Sequence, residues 1–194
     1  MTLQRLVALL LLPSGILFVF ASFTTNIALA QESQQRATAV PLELRFKVPE
    51  GWVAEQTASK MRIAQYKLPG VEGDTEDASL VLYYFGPQQG GSVQANVERW
   101  IGQMKQADGD AAEPKTETLT VHGLKITTVD AAGTYTAEMS PGSNTFYNKP
   151  DYRLLAAVIE TMKGPYFAKL VGPAKTVNRW HESYLTYVRS FEFK

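Results

Sequence analysis

Two acidic clusters, two histidines and one glycine-rich loop are the features of this sequence whose residue types could do chemistry. "EGDTED" runs from Glu72 to Asp77 and "DGD" from Asp108 to Asp110. Clustered carboxylates suggest calcium, but a calcium loop needs glycine at its sixth position and a bidentate glutamate at its twelfth. Counted from Asp108, those positions hold Glu113 and Leu119; counted from Asp74, they hold Ser79 and Phe85. Neither cluster fits, so both read as solvated turn acids and no metal ligand is assigned. His122 stands at an expected hairpin tip. His181 is followed by Glu182, but neighbours on a helix do not face one another. The motifs H-E-x-x-H, G-x-S-x-G and S-x-x-K do not occur, so no catalytic residue is assigned and the chain reads as non-catalytic.

The glycine loop lies in "YYFGPQQGGSVQANVERWIGQM", where a strand leads through glycines into a helix. A phosphate loop requires G-x-x-x-x-G-K-[ST], with the lysine and hydroxyl contacting phosphate and magnesium. Here Gly86 and Gly91 have the right separation, but Ser92-Val93 stand in place of Lys-Ser. The dinucleotide fingerprint G-x-G-x-x-G is missing as well, so no cofactor is expected. What remains is a tight turn into a helix, with the weak anion affinity of any helix start.

The elements that position these residues follow from periodicity. "LELRFKV" alternates Leu42, Leu44, Phe46 and Val48 with charged residues, as a half-buried strand does. Trp52 after "PEG" is expected to close over the core. "MRIAQYKL" is a second strand whose apolar phase slips between Ile63 and Ala64, implying a bulge. "SLVLYYF" is apolar in both phases and requires cover on both faces of its sheet. A helix is expected from about Ser92, its N-cap, to Gln106, with Val93, Val97, Trp100, Ile101 and Met104 in one stripe. "TETLTV" and "LKITTV" flank a His122-Gly123 hairpin turn. "RLLAAVIETM" and "YFAKLV" form another hairpin. After Gly172-Pro173 comes a second helix, with Val177, Trp180, His181, Tyr184 and Val188 on one face, and then a short strand in "SFEF". Hairpins dominate, so the expected fold class is α+β: a mainly antiparallel sheet flanked by helices.

The long loop from Ala137 to Asp151 is the candidate recognition loop. Phe146 and Tyr147 sit there among Ser, Gly, Asn and Pro, the composition of adaptable binding loops. The alternative is that both aromatics fold back onto the domain.

Composition bounds the setting. Residues 1–30 carry Arg5, an apolar stretch and then Ala28-Leu29-Ala30, the layout of a secretory signal peptide. Residues 31–41 read as a flexible leader and 42–194 as a single globular domain. Removing Arg5 from 19 bases leaves 18 against 19 acids, a net charge of −1. That balance offers no field to hold nucleic acid, and the processed chain has no further apolar run long enough to span a membrane. The absence of cysteine excludes a disulfide framework, a thiolate nucleophile and a lipid-modified N-terminal cysteine. The expected location is therefore periplasmic or extracellular.

"FKVPEGW", paired strands ending in "GTY" (Gly133 to Tyr135) and a terminal helix leading into "RSFEF" resemble the PsbP-like fold. An extrinsic photosystem II protein and a Ran-binding nuclear transport factor share that fold. "MRIAQYKLPG", "FGPQQGGSVQANVERWIGQM" and "GPYFAKLVGPAKTV" are similar to a family of uncharacterised exported bacterial proteins. The resemblance spans Leu42 to Lys194 and implies a non-catalytic binding or assembly module of the envelope with a protein partner. It transfers no functional residue. A carrier of a small molecule or metal ion, with its site between sheet and helix, is the alternative.

If residues 1–30 are a cleaved signal, N-terminal sequencing of the exported protein should begin at Gln31. Bulky substitutions at Ala28 and Ala30 should block processing; a secreted product that keeps Leu6 sinks the assignment.

Overall fold

The computed structural model describes residues 43–57, 59–106 and 113–194. The expected signal peptide, the leader and the Asp108–Asp110 cluster lie outside the described residues. Residues 42–194 form one compact unit.

Ten strands and two helices follow one another among the described residues: β1 (Leu44–Arg45), β2 (Val53–Ala54), β3 (Arg62–Leu68), β4 (Ala78–Tyr84), α1 (Val93–Gly102), β5 (Met104–Lys105), β6 (Lys115–Val121), β7 (Leu124–Tyr135), β8 (Lys149–Glu160), β9 (Tyr166–Pro173), α2 (Ala174–Arg189) and β10 (Glu192–Phe193). Eight strands make one sheet in the order β2-β3-β4-β9-β8-β7-β5, with β6 also paired to β7, and every pairing is antiparallel. β1 and β10 make a separate two-stranded sheet. The fold is α+β, an antiparallel sheet with helices packed on it.

The centre of the sheet is apolar on both sides. In β8, Leu155, Ala157 and Ile159 join the core under α2, while Leu154, Ala156 and Val158 join the core under α1. β4 and β9 keep the same phase: Leu80, Leu82, Ala168 and Leu170 face α2, and Phe167 faces α1. The side toward α2 is the larger core and takes in Trp52, Tyr184, Tyr187 and Phe191. The bulge in β3 falls between Arg62 and Ala64, where the phase slip in the sequence puts it.

Several elements differ from the sequence reading. The first strand is only Leu44–Arg45, because its partner β10 offers just two residues and Val48 is exposed. α1 ends at Gly102, one turn earlier than the stripe suggests, and Met104 is buried in strand β5 instead. β5 reaches the sheet only because Gly133 in β7 has no side chain: a Cβ there would stand 2.3 Å from the Lys105 carbonyl oxygen. β8 begins at Lys149, four residues before the apolar run, since β7 extends to Tyr135 and pairs with it that far.

α2 begins after Pro173, which supplies no side-chain cap. The cap comes from elsewhere in the chain. Asp74 Oδ2 accepts the Thr176 N–H at 2.9 Å and the Thr176 hydroxyl at 2.6 Å. The Val71 N–H donates to Thr176 Oγ1 at 3.2 Å, and Trp180 Nε1 donates to the Pro69 carbonyl at 2.9 Å. The acidic turn is thus strapped to the helix by an anion at its N-terminus, where the helix dipole favours one.

The two helix tryptophans are not equivalent. Trp100 is 3% exposed, whereas Trp180 is half-buried with its ring against Gly51. Trp100→Ala should cost about 3–5 kcal/mol in urea unfolding, as removal of a large core aromatic does. Trp180→Ala should cost about 1–3 kcal/mol, for partial burial and one hydrogen bond. Equal losses at the two positions would contradict this division.

Candidate functional site

α1 has ten residues and is therefore about 15 Å long. It packs on β7 and β8, which leaves the same face of β4 and β9 without a helix over Val81 and Val171. A cleft of about 640 Å³ opens there, walled by the loop from Ala137 to Tyr147. No helix among the described residues is long and apolar enough to cross a membrane.

Tyrosines and phenylalanines form much of the cleft. Tyr83 and Phe85 stack at 5.8 Å with their planes 6° apart. Tyr135 stacks on Tyr152 at 6.1 Å and on Tyr147 at 5.6 Å. Met61 and Met139, each 51% exposed, stand on the rim.

Lys169 lies in this aromatic setting. In the sheet it is registered opposite Val81 on β4 and Ala156 on β8, so it rises from the middle of an apolar surface. Its Nζ donates to Gln103 Oε1 at 2.7 Å and to the Tyr135 hydroxyl at 3.1 Å, and sits 5.0 Å from the Tyr135 ring centre. Burial pushes the Lys169 ammonium down to about 8, and the Arg99 guanidinium adds to this. Burial also raises the Tyr135 phenol to about 12, with Tyr147 and Tyr83 contributing.

The cleft's carboxylates are engaged by the protein itself. Both Glu76 carboxylate oxygens accept from Lys149 Nζ at 2.6 Å, and Lys149, followed by the Tyr152 hydroxyl, holds the carboxyl below its usual range. Asp77 accepts the Gly70 N–H at 2.7 Å and lies 3.5 Å from Lys67. Glu138 accepts the N–H groups of Gly142 and Asn144 at 3.1 and 3.0 Å. The Glu72–Asp77 cluster is therefore not simply solvated: three of its four acids hold the turn, the helix α2 and the start of β8 in place.

The candidate recognition loop is an ordered hairpin. Tyr147 N–H donates to Ala137 O at 2.9 Å, and Met139 N–H to Thr145 O at 2.8 Å. Within it the two candidate residues diverge. Tyr147 turns into the cleft beside Tyr135, while Phe146 is 60% exposed. The structure does not bring Phe146 to the cleft. His122 Nδ1 lies 2.9 Å from the Phe191 carbonyl and so ties the hairpin tip to the end of α2. His181 Nδ1 does meet Glu182 Oε1, at 3.3 Å, because the glutamate side chain is long enough to reach back to its neighbour. Sequence reasoning missed Lys169 and Gln103. The signal for Lys169 was a single lysine in the otherwise apolar run "YFAKLV".

The glycine loop is organised by carbonyls, not by free N–H groups. Buried Asn96 donates through Nδ2 to Gly90 O and Ser92 O, both at 2.8 Å, and Ser92 Oγ caps α1 by accepting the Ala95 N–H at 3.1 Å. Gly90 has φ +90°, and a Cβ there would stand 2.6 Å from the Phe167 ring.

No family model and no curated protein matches the chain. Solved structures do resemble it. A Pseudomonas aeruginosa protein of unknown function aligns with a TM-score of 0.45 at 15% identity, covering 76% of this chain and 94% of its own. Cyanobacterial PsbP from Synechocystis sp. PCC 6803 aligns with a TM-score of 0.45 at 12% identity, covering 80% of this chain and 94% of its own.

Gly90→Ala should lower the melting temperature, since both its φ and its contact with Phe167 exclude a side chain. Inorganic phosphate and ATP should leave the melting temperature of the parent protein unchanged. A saturable rise with either would identify a phosphate site after all.

Proposed function

We propose that this chain is an exported, non-catalytic binding module and that the aromatic cleft between the sheet and the Ala137–Tyr147 loop is its binding site. The cleft is the observation that carries the reading. Its volume, about 640 Å³, falls in the usual range for small-molecule sites, and its wall combines apolar rings with a few fixed polar groups. Its three carboxylates are held by protein donors, which suits recognition better than general-base chemistry. Export rests on the composition of residues 1–30. These features favour the carrier of a small molecule over the carrier of a metal ion.

A second reading rests on Phe146. An aromatic side chain 60% exposed on an ordered hairpin has the form of an anchor for a protein partner in the envelope. The two readings separate by experiment. In a melting screen of small ligands against the full chain, a true ligand at 100 times its Kd should stabilise by about 2.7 kcal/mol, and Tyr147→Ala should weaken that effect. Capture of an envelope protein that is lost on Phe146→Ser, with no small-molecule shift, would instead support the docking loop and overturn the cleft.

A further inference from the structure

We propose that the cleft binds a small aromatic carboxylate, its ring received by the tyrosines and its carboxylate held by Lys169 and the Tyr135 hydroxyl. This rests on the cleft being the binding site and adds the chemistry of its occupant.

The argument begins with charge. Half-buried on an apolar sheet between Val81 and Ala156, an ammonium ordinarily has a carboxylate beside it, because an unpaired charge loses hydration without compensation. Among the described residues no carboxylate lies within 4.0 Å of Lys169. Its two acceptors, Gln103 and Tyr135, are neutral, and an ammonium has three protons to give. Because the Tyr135 oxygen accepts from Lys169, its own proton remains to be donated to a third group. Arg99 lines a smaller recess of about 150 Å³ that shares Lys169 and Gln103 with the cleft, so a second cation lies nearby. The cleft's acids cannot neutralise them: Glu76 is bound to Lys149, Asp77 to Gly70 and Glu138 to its own hairpin. A local excess of positive charge in a concave, low-dielectric wall selects an anion.

Shape then limits the anion. A space of about 640 Å³ is far larger than an inorganic ion needs, and the stacked faces around Tyr83 and Tyr135 suit a flat ring. A carboxylate carried on an aromatic body satisfies both halves of the site.

The test uses 2-naphthoate and its neutral isostere 2-naphthamide, titrated into the full chain and followed by fluorescence. The acid should bind about ten- to a hundredfold more tightly than the amide, the usual gain from a hydrogen bond to a charged group. Lys169→Met should abolish that preference and Lys169→Arg should keep it. The parent protein supplies a measurement that does not depend on how the variants fold. Lys169 is an ammonium below its pKa of about 8, so naphthoate affinity should be level at lower pH. It should then fall by up to about tenfold per pH unit above that value as the proton is lost. The other groups facing the ammonium do not supply this step: Arg99 and Arg62 stay charged, Gln103 is neutral, Tyr135 keeps its proton to about 12, and Lys149 is paired with Glu76. Equal affinity for acid and amide, a preference that survives Lys169→Met, or affinity level through pH 8 overturns the carboxylate while leaving the cleft as a binding site. Binding of neither probe also overturns it, and the wider ligand screen then decides whether the cleft binds anything.

Discussion

The constraint on which the rest of the structure depends is that β4, β9 and β8 are apolar on both faces. A strand with alternating polarity needs cover on one side only; these three must be covered twice. On one side α2, Trp52 and the β1–β10 pair supply a continuous core. On the other side the cover is α1, which has only ten residues and reaches β7 and β8. The second face is therefore finished unevenly. Where α1 ends, tyrosines and a hairpin take over, and they enclose a cleft instead of a core.

The connections that make this arrangement possible are tertiary. Asp74 caps α2 from a turn that is 102 residues away in the chain, and the same turn accepts the Trp180 indole N–H. Gly133 admits the Lys105 carbonyl, so the chain leaving α1 joins the sheet instead of continuing as helix. That second device also shapes the cleft. Ending α1 at Gly102 sets Gln103 where its side-chain oxygen meets Lys169, and pairing β5 with the end of β7 brings Tyr135 alongside.

Lys169 illustrates how the fold turns an ordinary residue into a distinctive one. A lysine on an exposed strand would be hydrated and unremarkable. Here Val81 and Ala156 flank it within the sheet, Gln103 and Tyr135 hold its head, and Arg99 adds a like charge. Desolvation dominates the fall in its basicity. The same surroundings that weaken its hold on a proton strengthen its attraction for an anion, because little water lies between to screen it.

Local patterns in the sequence determined most of the elements. The continuous apolar runs in "SLVLYYF" and "YFAKLV", the phase slip at Ile63-Ala64, Ser92 before an amphipathic stripe and the His122-Gly123 turn each act within a few residues, so each was legible without a structure. From them the α+β class and the strand pairing by hairpins followed. What only the tertiary structure decided was where those elements stop and what their surfaces meet. The helix pattern from Ser92 runs through Met104, yet the helix ends at Gly102 because a strand pairing with β7 competes for the same residues. Lys169 and Gln103 are 66 residues apart, and nothing in either neighbourhood announces the other. Periodicity reports which side of a strand is apolar. Only packing determines whether that side is covered by a helix or left open as a cleft, since that depends on the length and placement of an element elsewhere in the chain.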